Sequence, residues 1–242
     1  MNREHLPTVP LTMRAWPILI LFAASCTAQP DTAYVYRTGS PDGIGKWYLG
    51  REIAHTMSSA HADWLDRPER GREERPERML TRLRIAPGDT LADIGCGTGF
   101  HALRMAEQAP EGLVYAVDIQ PAMLDSVRER AAREGLTNVR PVQGTLRDPG
   151  LPAGAVDKVL LVDVYHELEF PREMMAAIVR ALRPGGEVFL VEFRGEDDWV
   201  PIKPLHRMSR EQCLKEMAAA GLVYDRQWRG LPWQHLLVFR KP

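Results

Sequence analysis

The amino-acid sequence predicts an α/β protein built on one doubly wound, mostly parallel β-sheet. From about residue 90 onward, short runs rich in Val, Ile and Leu alternate with segments of helical periodicity. Such alternation is typical of parallel strands joined through crossover helices, which cover both faces of the sheet. The last two apolar runs, residues 222–228 and 235–240, are separated only by the turn R-G-L-P-W-Q. A connection this short indicates an antiparallel edge.

The individual elements follow from apolar periodicity and from Gly and Pro at their ends. Before the closing pair, the predicted strands are Leu91–Ile94, Val114–Val117, Val139–Val142, Val159–Val164 and Val188–Phe193. The predicted helices are Phe100–Gln108, 121–134, Arg172–Leu182 and Ser209–Ala220. The fourth strand is a run of Val and Leu, as expected for a strand buried on both faces.

The chain in front of this domain predicts a linker and helices. Residues 27–45 are polar and rich in Gly, Pro, Thr and Asp, which is typical of a linker. Residues 46–65 carry aromatic and apolar residues at helical spacings, and residues 67–84 predict an amphipathic helix laced with Arg and Glu. We therefore expect an N-terminal helical cap over residues 46–84 and the main domain over residues 85–242.

Residues 1–26 have the pattern of an export signal. Arg14 precedes a short apolar run, A-W-P-I-L-I-L-F-A-A-S, that ends at Cys26. A basic start, an apolar run and small residues describe a secretory signal, and the run is shorter than the roughly 20 residues that span a bilayer. The ending A-A-S-C also resembles a lipobox, whose acylated cysteine would tether the chain to a membrane. We expect a periplasmic or membrane-anchored lipoprotein, or a cytoplasmic protein if the signal does not function.

Charge and cysteine content narrow the function classes. The chain has 31 basic and 32 acidic residues, whereas nucleic-acid binders usually carry a basic excess or stripe, so a nucleic-acid partner is not expected. Three cysteines, Cys26, Cys96 and Cys213, are too few and too scattered for a disulfide framework or a zinc site. Cys213 falls in an amphipathic helix and is expected in the core.

The clearest functional pattern is a glycine turn between the first strand and the first helix. Residues 90–99 read T-L-A-D-I-G-C-G-T-G. Glycine permits a tight turn and a close approach of the backbone to a ligand. Asp118 follows the second strand, 23 residues beyond Gly95, where its carboxylate can accept both hydrogen bonds of a ribose diol. The turn therefore predicts a site for a cofactor that contains a ribose.

The spacing of the glycines favours S-adenosylmethionine (SAM) over a dinucleotide. Dinucleotide folds use a wider G-x-x-G after the first glycine pair, and here Asp93 stands beside the turn. SAM carries a sulfonium and no pyrophosphate, so it tolerates an acid there. A nicotinamide oxidoreductase is also disfavoured because the sequence has no Tyr-x-x-x-Lys pair.

Four segments together resemble the class I SAM-dependent methyltransferases: A-D-I-G-C-G-T-G (92–99), A-V-D-I-Q-P-A-M-L (116–124), V-D-K-V-L-L-V-D-V-Y-H-E-L (156–168) and L-R-P-G-G-E-V-F-L-V-E (182–192). The resemblance covers about residues 75–242. It implies a seven-strand sheet whose last strand is antiparallel, with SAM as the cofactor.

The resemblance also implies a set of cofactor contacts. The methionine part of SAM would be held by Asp93, Gly95, Cys96, Gly97 and Gly99, with Cys96 serving only as a small residue. Ribose and adenine would be held by Asp118, Ile119 and Met123. The acid that the family often places after the third strand is replaced here by Gly144-Thr145, with Asp148 slightly later, so Thr145 and Asp148 are both candidates for the adenine contact.

The end of the fourth strand provides the candidates for the acceptor side. In the family, residues at this position line the transferred methyl group, and here they include Asp163, Tyr165 and His166, our catalytic candidates, with Asp163 also near the cofactor. His166 is the candidate base because the ordinary imidazole pKa is near 6.5. A core or helix-capping histidine is the alternative, and methyl transfer without an enzyme base is another, since alignment is the main requirement.

Two other regions are candidates for the same pocket. The loop after the fifth strand brings Lys203 and His206, and a metal held by His166, Glu192 and His206 is conceivable, but no metal-ligand spacing supports it and we expect none. In the family, N-terminal helices often close the pocket, which makes Tyr48, Arg51 and Glu52 candidates, although packing on the sheet is the alternative. The same reasoning assigns His55, His61 and His235 to structural or surface positions.

The sequence thus predicts a SAM-dependent methyltransferase that acts on a small molecule, with its oligomeric state open. The alternative is a non-catalytic SAM-binding protein of the cell envelope, because an exported chain would be separated from cytoplasmic SAM.

Overall fold

The structure, a computed structural model, describes Met1 and residues 33–242. Residues 2–32 lie outside the described residues. With them go the predicted signal after Met1, the lipidation candidate Cys26 and the first part of the predicted linker. Of the helices in the described part of the chain, none has the length and apolar character needed to cross a bilayer.

The described chain begins with a small antiparallel sheet. Its three strands pair in chain order: β1 (Tyr34–Tyr36), β2 (Gly43–Tyr48) and β3 (Arg51–Ala54). The predictions of a linker up to residue 45 and of a helix from residue 46 are therefore wrong here. Leu49 and Gly50 both have positive φ, which reverses the chain and pairs the aromatic residues of β2 with β3. The turn depends only on Leu49 and Gly50, but the spacing of the apolar residues around it fits a helix as well as a hairpin.

The remainder of the cap is helical, as predicted, but in short pieces. A 3-10 segment (Ser59–Asp66) precedes α1 (Arg70–Glu73) and α2 (Pro76–Leu83). The amphipathic helix predicted over residues 67–84 is broken at Arg75, which has a φ of 52°, before Pro76 starts a new helix. The predicted apolar face of α2 is buried, and it comprises Met79, Leu80 and Leu83.

The main sheet has seven strands in the order β6-β5-β4-β7-β8-β10-β9. Their bounds are β4 (Thr90–Ile94), β5 (Leu113–Asp118), β6 (Val139–Gln143), β7 (Val156–Val162), β8 (Leu182–Phe193), β9 (Val223–Trp228) and β10 (Gln234–Arg240). Only β10 runs antiparallel to its neighbours β8 and β9 within this sheet. The predicted mostly parallel seven-strand sheet, with its antiparallel last strand, is confirmed.

Helices cover both faces of this sheet. The further helices are α3 (Phe100–Gln108), α4 (Pro121–Glu134), α5 (Pro171–Ala181) and α6 (Arg210–Ala219). One apolar cluster joins the sheet to α2, α3 and α4, and the other joins it to α5 and α6. Cys213 is fully buried in the second cluster. Each face therefore has its own core, as the continuous apolar strands require.

The strand order creates a cleft between β4 and β7. The chain leaves β4 toward β5 on one side, whereas it leaves β7 toward β8 on the other. Ligands of open α/β sheets bind at such a switch point, beyond the carboxyl ends of the strands. β7 ends two residues before its predicted end because Asp163 has a φ of 50°, a left-handed conformation that is uncommon for a residue other than glycine.

Candidate active site

A cavity of about 680 Å³ lies at this switch point. One end is lined by the glycine turn and Asp118, and the other by His166, Glu167 and His206. Its size falls within the roughly 300–1,000 Å³ that small-molecule sites occupy. The cavity therefore joins the predicted cofactor side and the predicted acceptor side in one space.

The glycine turn has a backbone that only glycine adopts readily. Gly95, Gly97 and Gly99 have φ values of 67°, 52° and 86°. A Cβ atom on Gly95 would lie 2.3 Å from a methyl group of Val164, and one on Gly97 would lie 2.5 Å from Leu65. The three glycines are thus required both by conformation and by the close packing of the turn.

Asp118 ties the turn to the end of β5. Its Oδ2 accepts a hydrogen bond from the backbone N–H of Gly97 at 3.0 Å, and its Oδ1 accepts one from Gln120 N–H at 2.9 Å. Burial raises the pKa of Asp118, and the backbone hydrogen bonds oppose that rise. Each carboxylate oxygen can accept more than one bond, so Asp118 can still meet a ribose diol.

The structure divides the predicted cofactor residues into two groups. Seven line the cavity: Gly95, Gly97, Asp118, Ile119, Met123, Thr145 and Asp163. Asp93, Cys96 and Gly99 do not line it but lie in or beside the same turn, and their contact with SAM stays a prediction. Asp148 does not line it either, because its carboxylate bonds Gly150 N–H and Arg180. Of the two adenine candidates, the structure therefore places only Thr145 at the cavity.

Asp93 is a buried acid directly beneath the turn. Its side chain is almost fully buried, and its Oδ2 has no hydrogen-bond partner. Burial raises the pKa of Asp93 to about 7, and the nearby Arg70 guanidinium limits the rise. The charge state of this carboxyl group is thus poised near neutral pH.

A segment of the cap, residues 55–67, covers the cofactor side. Gln120 holds it at two points: its Oε1 accepts from Ser59 N–H at 2.7 Å, and its Nε2 donates to Met57 O at 3.0 Å. His55 and His61 are exposed, as predicted, and they also line the rim of the cavity. His235 does not line it and pairs with Glu196.

Sequence reasoning also missed a charged pair on the cap. Arg70 and Glu74 line the cavity and form a buried ion pair, with Nε and Oε2 separated by 2.6 Å. Arg70 also approaches Nε2 of His101 at 3.0 Å. A cation and an anion side by side match the carboxylate and ammonium groups of an amino-acid end such as that of SAM. In sequence, these two residues look like any exposed pair of the Arg/Glu stretch.

On the acceptor side, Glu192 orients His166. Glu192 Oε2 lies 2.7 Å from His166 Nδ1, and Oε1 accepts from the backbone N–H groups of Tyr165 and His166. His166 Nε2 lies 3.1 Å from Nδ1 of His206. Burial acts to lower the pKa of His166, but the charge of Glu192 and its hydrogen bond outweigh it and raise the pKa. His166 is therefore both at the cavity and fixed in orientation.

The neighbouring groups have shifted pKa values as well. Burial, with the charges of His166 and Lys203, lowers the pKa of His206 to about 4. Burial raises the pKa of Glu167, and it raises that of Asp163 well above the usual range, aided by Glu74 and Glu192. Groups shifted mainly by burial, gathered in one cavity, are typical of a functional site.

Several predicted site residues have structural positions instead. Tyr165, a predicted catalytic residue, is fully buried in the core and does not line the cavity, which disfavours a direct role for it. Arg51 pairs with the buried Glu216 and donates to the backbone oxygen of His166 at 2.8 Å. Tyr48 packs in the small cluster of the N-terminal sheet, and Glu52 accepts from backbone N–H groups there. The cap candidates thus support the site without facing it.

The fold and the site define a class of protein: an α/β enzyme that binds a ribose-containing cofactor at the switch point of its sheet. Residues 91–186 match the family described as "Methyltransferase domain". Residues 91–186 thus form a methyltransferase domain, and the predicted resemblance to the class I SAM-dependent methyltransferases, the enzyme class and the cofactor, SAM, are confirmed.

Relatives and solved structures agree with this family. An uncharacterized methyltransferase from Bacillus subtilis, YdaC, is 29% identical over 59% of this chain and 76% of its own length. A trans-aconitate 2-methyltransferase from Azoarcus is 32% identical over 61% of this chain and 58% of its own length. The crystal structure of a SAM-dependent methyltransferase from Aquifex aeolicus superposes with a TM-score of 0.73 at 22% identity, covering 77% of this chain and 100% of that one.

The relatives differ in what they methylate. A ribosomal RNA large subunit methyltransferase G from Streptomyces avermitilis is 30% identical over 69% of this chain, which spans only 44% of that relative. The chain thus covers about half the length of the curated relatives whose acceptor is named. These similarities establish SAM as the methyl donor. They do not identify the acceptor, which has to be inferred from the site.

Proposed function

We propose that this enzyme transfers the methyl group of SAM to a small-molecule acceptor bound at the histidine end of the cavity. The observation that carries the proposal is the continuity of the cavity from the glycine turn to His166, Glu167 and His206. The covering segment, residues 55–67, is anchored across the cofactor side by Gln120. A partly covered cavity of about 680 Å³ favours a small acceptor over a polymer.

Charge supports the same acceptor class. The chain has nearly equal numbers of acidic and basic residues. RNA and DNA binding depends on neutralising phosphates with Lys and Arg, which favours a basic excess. The Arg and Lys side chains that line the cavity are already paired with acids: Arg67 and Arg70 with Glu74, and Lys203 with Asp42. These cations are therefore already neutralised and are not available to bind a phosphate backbone.

Methyl transfer requires the acceptor atom to be aligned with the methyl carbon of SAM, and an acceptor atom that carries a proton must also lose it. A lone pair of the acceptor attacks the methyl carbon, the carbon–sulfur bond breaks, and its electron pair returns to sulfur, which leaves S-adenosylhomocysteine. If the acceptor atom carries a proton, that proton must leave, either to a side chain of the polar cluster around His166 or to water. Holding the two reactants in line supplies most of the acceleration.

Product analysis tests the acceptor class. Purified protein is incubated with SAM that carries an isotopically labelled methyl group, together with either a small-metabolite extract or total cellular RNA. We expect labelled product in the small-molecule fraction only, and none with the Asp118→Ala variant, which lacks the proposed ribose acceptor. Labelled RNA without a labelled small molecule would contradict the proposal.

We also propose that the chain is exported, on the basis of the sequence of residues 1–26. Mass spectrometry of the mature N-terminus tests this proposal. Cleavage before Cys26, with or without an acylated cysteine, is the expected result. A soluble cytoplasmic protein that keeps the apolar run in front of Cys26, whether translation starts at Met1 or at the later Met13, would contradict it.

A further inference from the structure

Three side chains at the acceptor end form a cluster of metal-binding atoms. They are His166, Glu167 and His206, and one ligand atom of each lies within 4.8 Å of the others. All three line the cavity, and they come from two separate segments: the 3-10 turn after β7 (Tyr165–Glu167) and another 3-10 turn (Pro204–His206). The cluster thus exists only because the fold brings these two turns together.

The separation of the two imidazoles suits a shared ion. His166 Nε2 and His206 Nδ1 are 3.1 Å apart. Two nitrogens that each lie about 2.0–2.1 Å from one metal ion, at tetrahedral or octahedral angles, are themselves about 3 Å apart. An ion can therefore take the place of the proton between the two rings with only small movements of the side chains.

The surroundings of His166 match those of a metal ligand. A histidine that binds a metal almost always donates its other ring N–H to a carboxylate or a carbonyl group. Here the fully buried Glu192 accepts from Nδ1 at 2.7 Å, which leaves the lone pair of Nε2 directed at His206. Arg51 holds the backbone oxygen of the same residue. Both contacts fix the ring before any ion arrives.

Glu167 is held in a similar way and keeps one oxygen available. Its Oε2 accepts from Met57 N–H at 2.8 Å, which anchors the carboxylate at the cavity wall. The nearest lysine of the loop, Lys203, is paired with Asp42 at 2.5 Å rather than with Glu167. Glu167 thus adds a carboxylate oxygen to the two imidazole nitrogens of the cluster.

We propose that His166, His206 and Glu167 bind one divalent transition-metal ion, with Zn²⁺ as the reference ion. Two imidazoles and one carboxylate suit Zn²⁺ and related ions, and three protein ligands leave a position open for a substrate. Glu192, a ligand candidate in the sequence, is instead the outer partner that orients His166. The proposal departs from the sequence expectation of no metal.

The site deepens the proposed function, on which its catalytic role rests. At the open position, the ion takes an acceptor oxygen or sulfur atom, whose proton leaves to water upon coordination. The remaining lone pair attacks the methyl carbon of SAM, and the carbon–sulfur electron pair returns to sulfur. The acceptor class is therefore a small hydroxyl or thiol compound that binds a metal through the atom it methylates.

Zinc titration of the purified, untagged protein tests the site. After treatment with a chelator and dialysis, Zn²⁺ binding is measured by calorimetry, and Co²⁺ is used in parallel for its visible spectrum. The variants are His206→Ala and Glu167→Gln. His61→Ala is the matched control, because this exposed histidine also lines the cavity but lies outside the cluster.

We expect one Zn²⁺ per chain in the wild type and in His61→Ala, and at least tenfold weaker binding in His206→Ala and Glu167→Gln. Circular dichroism confirms that each variant is folded. Equal Zn²⁺ affinity in wild type and His206→Ala, or no binding by the wild type at millimolar Zn²⁺, would overturn the proposal. Labelled small-molecule product from a protein that binds no metal would overturn the metal site alone, whereas Zn²⁺ binding without such product would overturn only the proposed acceptor class.

Discussion

The two ends of the cavity are built in different ways. The cofactor end consists mainly of backbone: the turn Gly95–Gly99 and the acid Asp118, all within one strand-helix-strand unit. The acceptor end consists of side chains from segments far apart in sequence, such as His166, Glu192 and His206. The difference teaches that the methyl donor can be held by a sequence pattern within one short segment. The acceptor, in contrast, is held by side chains that only long-range packing brings together.

The largest expected effect concerns the backbone of the cofactor end. Gly95→Ala forces a Cβ atom into a left-handed position 2.3 Å from Val164, and we expect a loss of about 3 kcal/mol in the free energy of unfolding. Gly154→Ala is the matched control: its φ of 61° is similar but no atom lies within 4 Å, so it should cost about 1 kcal/mol. Urea unfolding measures both. Equal losses would show that packing against Val164 is unimportant.

At the acceptor end, the His166→Ala variant should change turnover more than SAM binding. We expect turnover to fall by about a hundredfold, because the variant loses a side chain that activates the acceptor, directly or through the proposed metal ion. SAM affinity, measured by calorimetry, should change less than threefold because His166 lies away from the glycine turn. A parallel fall of both quantities would mean that the two ends are not separable.

The buried acid Asp93 should make stability depend on pH. Its pKa is raised to about 7 in the folded protein, above its ordinary value of 3.8, so the folded state binds the proton more tightly than the unfolded state. This contribution is fully present below about pH 4 and is lost as the pH rises through about 7.

The Asp93→Asn variant removes this dependence. The difference in unfolding free energy between the variant and the wild type should therefore increase by roughly 2 kcal/mol between pH 5 and pH 8. Chemical unfolding at several pH values measures it. A constant difference would show that Asp93 does not titrate in this range.

The smallest predicted effect is that of the conservative variant Asp118→Asn on SAM affinity. Asp118→Asn removes the negative charge and one acceptor while it keeps the shape of the side chain, and we expect SAM affinity to fall about tenfold. Asp118→Ala removes the acceptors for both Gly97 N–H and Gln120 N–H and should have the larger effect. Calorimetry with SAM checks both variants. Unchanged affinity in Asp118→Ala would refute the ribose assignment.

Prediction from sequence succeeded where structure depends on neighbours along the chain. The helix Phe100–Gln108 and the helix over residues 121–134 were placed correctly to the residue, because Gly99 and Gly135 mark their ends. The N-terminal hairpin was predicted as a helix, because the apolar residues of β2 and β3 are spaced in a way that fits either structure. Only the pairing with β1 and the packing of Tyr34 on Tyr48 distinguish them.

The site shows the same division. Of the acceptor candidates, His166 lines the cavity and Tyr165 faces the core. They are adjacent in sequence, and the short 3-10 turn directs them to opposite sides. Arg70 and Glu74 carry no local signal, since their stretch is rich in both residue types.

The sequence by itself determined the order of strands and helices in the main domain, the glycine turn and the SAM cofactor. These depend on glycine conformations and apolar periods that operate within a few residues. Only the tertiary structure decided which segment covers the cofactor and which charged pair lies beside it. It also brought His206 to His166 and Glu167, because side chains that are 40 residues apart meet through the packing of separate loops on one sheet edge.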